Sequence, residues 1–187
     1  MRINEETIRS FVCVSPPPDV LEDIAGFLRG LRRFKGFKWV APGQVHFTLR
    51  FLGDAAPSLL MKMDTALSGL GGMRRFKISL GGAGAFPGMT RPKLLWLGAG
   101  DGARELSKLA SRLEQAARNS GFAPDGRKFT PHLSIGRSRL NGAMSDELAE
   151  ELKKVPSPSW DCASFVLMKS VLTPEGPIYT PIREYPL

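Results

Sequence analysis

Residues Gln44 to Leu52 alternate with a period of two, and no other stretch restricts the fold as strongly. Val45, Phe47, Leu49 and Phe51 fall on one side; Gln44, His46, Thr48 and Arg50 fall on the other. Such a run is a strand with one apolar and one polar face. It requires a sheet with a core behind it and an open face in front. A second alternating run begins at His132 and continues to Gly136. The chain must therefore build a sheet that can present both runs.

Around these strands the pattern is mixed. Ile8 to Val14 reads as a strand stopped by Ser15-Pro16-Pro17-Pro18. Asp19 suits a helix start, and Val20, Ile24, Phe27, Leu28 and Leu31 follow at helical spacing to about Arg33. Trp39 and Val40 make a short apolar stretch before Pro42-Gly43. Pro57 opens a second helix, carrying Leu59, Leu60, Met63, Leu67 and Leu70, which Gly71-Gly72 ends. Strands are predicted at Phe76 to Leu80 and Leu94 to Leu97, with a Gly- and Pro-rich loop between them. Within that loop Gly81-Gly82-Ala83-Gly84 lacks the Lys-Ser/Thr ending of a phosphate-binding P-loop. Ala103 to Asn119 reads as a helix and a shorter helix follows Ser145. Trp160 to Leu172 and Ile178 to Tyr185 read as two closing strands joined at Pro174-Glu175-Gly176-Pro177. Amphipathic strands separated by helices predict antiparallel or mixed sheets with helices on their outer faces. The order of elements around His132 echoes that around His46, which suggests two pseudo-repeated lobes within one domain spanning residues 1–187.

Lys and Arg number 26 against 18 Asp and Glu, a net charge of +8. That balance favours polyanionic partners such as nucleic acid. The opening MRINEETIRSFVCVSPPP lacks the basic start and apolar core of a signal peptide, and no apolar run approaches a membrane span. Cys13 and Cys162 lie in apolar strand-like runs and read as small buried hydrophobes, not a disulfide framework. The expectation is a reduced, cytoplasmic protein with no membrane partner.

The chemistry concentrates in two short motifs. The chain has only two histidines, one in His46-Phe47-Thr48-Leu49 and one in His132-Leu133-Ser134-Ile135. Residues two apart in a strand share a face, so each imidazole projects beside a hydroxyl. One such motif is ordinarily a solvated strand face, but two that use every histidine of the chain point to a shared site. Phosphodiester cleavage needs a base to activate water and an acid to protonate the departing oxygen. Histidine serves either role near neutral pH. A neighbouring hydroxyl can hold a phosphate oxygen. No CxxC, HExxH or EF-hand pattern is present, and no acidic residue stands at ligand spacing beside the histidines, so neither a metal nor a cofactor is expected. Arg50, Arg127 and Arg137 are candidate phosphate ligands by their closeness to the motifs. Each has the alternative of a solvated surface charge. Arg32 to Lys38 mixes cations with Phe34 and Phe37; it reads as a basic helix end that could also follow an RNA strand.

These residues resemble the twin HxTx/HxSx signature of the two-histidine phosphoesterases. Gln44-Val45-His46-Phe47-Thr48-Leu49-Arg50-Phe51-Leu52-Gly53 and Arg127-Lys128-Phe129-Thr130-Pro131-His132-Leu133-Ser134-Ile135-Gly136-Arg137 look like the bacterial and archaeal RNA 2',3'-cyclic phosphodiesterases, also called 2'-5' RNA ligases. The strand with Phe11, the Arg91-Pro92-Lys93-Leu94-Leu95-Trp96-Leu97-Gly98 segment and the Gly176-Pro177-Ile178-Tyr179 segment fit as well. The resemblance implies an α+β fold of two pseudo-symmetric lobes, with antiparallel sheets walling a concave central cleft and helices outside. It implies opening of a 2',3'-cyclic phosphate to a 2'-phosphate without a metal. His46 would be the proton donor and His132 the proton acceptor, with Thr48 and Ser134 on the phosphate. Ser134 stands where Thr is more usual. Tyr179 is a candidate stacking residue by the same resemblance, with a core or surface role as the alternative. RNA ends or cyclic nucleotides, tRNA-derived ends among them, are the expected partners of a monomer. Reversible 2'-5' joining of RNA ends, and binding without turnover, are the competing readings.

Overall fold

Both alternating runs form strands and they meet, but the first starts later than its pattern suggests: Pro42–Gln44 is a 3-10 turn and the strand begins at Phe47. In a computed structural model, residues 6–139 and 144–187 are described; the polar opening through Glu5 lies outside them. The strands are β1 (Ile8–Val14), β2 (Phe37–Trp39), β3 (Phe47–Ala55), β4 (Phe76–Phe86), β5 (Leu94–Ala99), β6 (His132–Ser138), β7 (Ser159–Cys162), β8 (Ser164–Leu172) and β9 (Pro177–Pro186). The helices are α1 (Pro18–Leu31), α2 (Pro57–Ser68), α3 (Ala103–Ser120) and α4 (Asp146–Glu151). All recorded pairings are antiparallel, and the order is β7-β4-β5-β6-β3-β1-β8-β9, with β2 also on β6. The sheet curls into a half-barrel, as the α+β reading anticipates.

The helices cover the apolar side. α1 buries Val20, Ile24, Leu28 and Leu31 at the spacing seen in the sequence. α3 buries Leu106, Leu109, Leu113 and the small Ala110, Ala116 and Ala117. It packs against α2 and β3. Ser145 caps α4 by accepting from the Leu148 amide at 3.2 Å, a contribution of about 1 kcal/mol. Arg33 of the basic stretch reaches Glu151 of α4 at 3.0 Å, so this cation ties the turn after α1 to α4.

Two further sequence expectations need correction. Gly81-Gly82-Ala83-Gly84 is not a loop but the middle of β4, which runs on to Phe86. Glycine is needed there for close approach: a Cβ on Gly81 would lie 2.6 Å from the Gly100 nitrogen, and one on Gly84 would lie 2.3 Å from the Trp96 ring. The run from Trp160 to Leu172 is broken at Ala163 into β7, which pairs with β4, and β8, which pairs with β1. Cys13 and Cys162 are both free and buried, as read from their apolar settings. Among the described residues no helix is long and apolar enough to cross a membrane.

Candidate active site

The site is created by one strand contact. β3 and β6 pair at Phe47 and Leu133, and both side chains are fully buried in the core behind the sheet. Alternation then turns the residues on either side of each, His46 and Thr48, His132 and Ser134, to the opposite face. An antiparallel pair at this position sets His46 abreast of Ser134 and Thr48 abreast of His132. The two motifs, 86 residues apart by number, thus form one four-residue patch on the open face of the half-barrel.

Each imidazole is aimed in the same way. The Nδ1–H of His46 donates to the Gln44 carbonyl at 2.8 Å, and that of His132 donates to the Thr130 carbonyl at 2.7 Å. A carbonyl only accepts, so Nδ1 carries the proton in both rings. Nε2 is left to accept a proton or, when charged, to give one.

Aromatic neighbours fix the ring planes. Phe11 stacks on His46 at 4.8 Å, and Tyr179 meets it edge-on at 5.2 Å. Phe86 stands edge-on to His132 at 5.1 Å, with Trp96 at 6.1 Å. Trp96 fits because Gly84 and Gly98 leave its ring room against the sheet. Phe11, Phe86 and Trp96 carry no acid, base or nucleophile, so a search for chemistry in the sequence passes over them.

Burial disfavours the charged form of both imidazoles. His46 is driven down from 6.5 to about 4, chiefly by desolvation and further by the positive charge of His132; its bond to Gln44 opposes this. His132 is lowered too, first by desolvation and then by the cation of Arg137, against the bond to Thr130. An arriving phosphate anion reverses the balance by favouring a charged imidazole.

The arginine candidates separate. Strict alternation would put Arg50 on the face of His46, but β3 contains a bulge. Val12 pairs with Arg50 and Cys13 with Thr48, leaving Leu49 as the extra residue. Beyond the bulge the faces exchange. Arg50 is 7% exposed and turns to the helices, where it meets Glu114 of α3 at 2.6 Å. It also donates to the carbonyls of Phe51 and Ala123. Its expected place beside the phosphate is therefore corrected to a buried ion pair.

β6 repeats the device. Trp96 pairs with Ser134 and Leu95 with Gly136, leaving Ile135 as the extra residue. Here the buried position after the bulge holds Gly136, and the next residue, Arg137, is exposed on the cleft side. Its charge acts on both His132 and Tyr179. The same irregularity thus withdraws Arg50 from the cleft and delivers Arg137 to it. Arg127 does not join the histidines. It holds Asp125 through two bonds of 2.8 Å and lines a separate pocket with Arg50. Its expected role is corrected to a surface ion pair.

Among the described residues no three of His, Cys, Asp and Glu gather as a metal-holding group.

The chain and its fold are similar to known proteins. Residues 17–173 match the model of the 2'-5' RNA ligase superfamily. The RNA 2',3'-cyclic phosphodiesterase of Archaeoglobus fulgidus is 33% identical over 181 residues, covering 95% of this chain and 99% of the relative. The protein of that name from Methanothermobacter thermautotrophicus is 36% identical over 80% of this chain and 82% of its own. Among solved structures, E. coli LigT complexed with 3'-AMP superposes with a TM-score of 0.80 and 25% identity, covering 97% of this chain and 99% of that one. The family match over most of the length, the relatives' identity and the shared architecture agree: this chain belongs to the 2'-5' RNA ligase superfamily.

Proposed function

We propose that this protein opens 2',3'-cyclic phosphate ends of RNA or nucleosides to 2'-phosphates, using His46 and His132 without a metal ion. The observation that carries the reading is the Phe47–Leu133 pair, which brings both His-x-hydroxyl motifs onto one open face. Relatives named RNA 2',3'-cyclic phosphodiesterase over nearly the whole chain support the substrate class.

In this reading the phosphate sits between the imidazoles. Thr48 and Ser134 donate to its non-bridging oxygens, and Arg137 offsets the charge that builds on them. His132 Nε2 takes a proton from water as its oxygen bonds to phosphorus. The bond from phosphorus to the 3' oxygen breaks on the opposite side, and His46 gives that oxygen a proton. The 2' ester remains. The donor and acceptor roles follow the family resemblance. His46 is the harder ring to charge in the free protein, so it becomes a donor only once the phosphate anion is beside it. Tyr179, at the His46 side, is positioned to touch the ribose or base. Run in reverse with an RNA 5'-hydroxyl in place of water, the same residues would join ends through a 2'-5' linkage, the activity for which the superfamily is named. Two buried free thiols fit action in a reducing cytoplasm.

The test is product identity. Incubated with a 2',3'-cyclic nucleotide in excess EDTA, the protein should release the 2'-nucleotide, resolved from the 3' isomer by chromatography. Formation of the 3' isomer, or turnover only when metal is restored, overturns the proposal.

A further inference from the structure

We infer that Gln44 is a positioning residue for His46, acting through both its backbone and its side chain; this rests on the acid–base reading above. The Gln44 carbonyl receives the His46 Nδ1–H at 2.8 Å. Its side-chain amide reaches a segment 133 residues on in the chain and donates to the Pro177 carbonyl at 2.6 Å. Pro177 opens β9, and Tyr179, two residues on, is the ring that stands edge-on against His46. One residue therefore sets the direction of the imidazole and holds the strand that covers it.

The surroundings are shaped for this tether. Gln44 ends a short 3-10 turn, Pro42–Gln44, whose proline restricts the backbone just before the histidine. The β8–β9 turn is closed by reciprocal backbone bonds between Thr173 and Gly176, at 3.2 and 3.1 Å, and by the Thr173 hydroxyl on the Gly176 carbonyl at 2.7 Å. Gly176 has φ of 145°, and a Cβ there would sit 3.8 Å from the Gln44 amide nitrogen. The turn thus presents the Pro177 carbonyl in a fixed place beside the amide. The second motif is built differently: the His132 ring is held by the Thr130 carbonyl and flanked by Phe86 and Trp96 of the β4–β5 pair. Losing the tether should therefore affect one histidine and spare the other. The titratable and charged groups around this corner include His132 on β6, Tyr179 on β9, Arg137, Arg9 and Cys13, which act on Tyr179, and Glu175 in the turn with Lys38, which acts on it.

The experiment compares wild type with Gln44→Met, which keeps the side chain's length and removes its donor, and with Tyr179→Ala. The imidazole pKa values of His46 and His132 are read by NMR, and kcat and KM are measured on a 2',3'-cyclic nucleotide. In Gln44→Met the His46 pKa should rise toward 6.5 as its cover loosens, while His132 stays in place. The value of kcat should fall roughly ten- to a hundredfold, with KM changed less than about threefold. The double variant should be little worse than Tyr179→Ala alone, because both changes remove the same cover. An unmoved His46 titration with unchanged kcat in a folded Gln44→Met protein overturns the inference, as does a multiplicative double variant. Failure of the wild type to turn over the cyclic nucleotide would instead count against the acid–base reading, and the NMR titration would still test the tether.

Discussion

Arg50→Ala should damage stability and leave substrate affinity nearly intact, which is the reverse of what a phosphate ligand would do. The guanidinium is 7% exposed, 2.6 Å from Glu114, and it satisfies the carbonyls of Phe51 and Ala123. Removing it strands a carboxylate of α3 and two carbonyls. Breaking a buried pair from one side costs about 3–5 kcal/mol. At about 2–4 °C per kcal/mol for a chain of this size, the melting temperature should fall by roughly 6–20 °C. Arg50→Met with Glu114→Leu should recover most of that loss, because neither charge is then left alone. Thermal unfolding gives the first quantity, and KM for a cyclic nucleotide, measured well below the melting point of the variant, gives the second. A melting temperature within about 2 °C of wild type, together with KM raised about tenfold or more, would refute the bulge argument and return Arg50 to the cleft.

Three further outcomes follow from the site. Since burial lowers both imidazoles, the singly protonated pair gains population in the free protein as pH falls through the acid side of neutrality, so kcat/KM should rise as pH falls from 7 and peak on the acid side; kcat should peak at higher pH, where bound phosphate sustains the proton. A kcat/KM that increases steadily from pH 5 to 8 would contradict this. Arg137→Ala should weaken inorganic phosphate binding by about ten- to a hundredfold, the worth of one charged hydrogen bond, and should raise the His132 pKa by removing a facing cation; isothermal titration and NMR report the two effects, and unchanged phosphate affinity would remove Arg137 from the site. Gly84→Ala should push Trp96 off its seat, costing about 1–3 kcal/mol and shifting tryptophan fluorescence, since the added carbon would lie 2.3 Å from the ring; an unshifted spectrum with wild-type stability would show that the packing yields freely.

Much of this was legible in the sequence because strand alternation is a simple code. His46, Thr48, His132 and Ser134 are separated from Phe47 and Leu133 by parity alone, and the structure keeps that division. Bulges break the code without announcing themselves: Leu49 and Ile135 are ordinary apolar residues in ordinary alternating runs. Counting by twos beyond them sends Arg50 to the wrong face, while Arg137, placed only by nearness to its motif, reaches the cleft through the same device. Glycines mislead in a different way. In Gly81-Gly82-Ala83-Gly84 they serve close packing against Gly100 and Trp96, a demand set by the neighbouring strand and absent from the local pattern. The aromatic surroundings of each histidine arise from pairing across β1, β4, β5 and β9. No local window contains those partners.

The central claim is that both imidazoles act on one phosphorus atom, and a kinetic cycle tests it most directly. Measure kcat for cyclic-nucleotide hydrolysis with His46→Ala, His132→Ala and the double variant, each confirmed folded. Groups that serve a single transition state are strongly non-additive. Each single variant should lose nearly all the activity, and the double should be little worse. Two independent, multiplicative losses, or either single variant retaining near wild-type rate, would contradict the account.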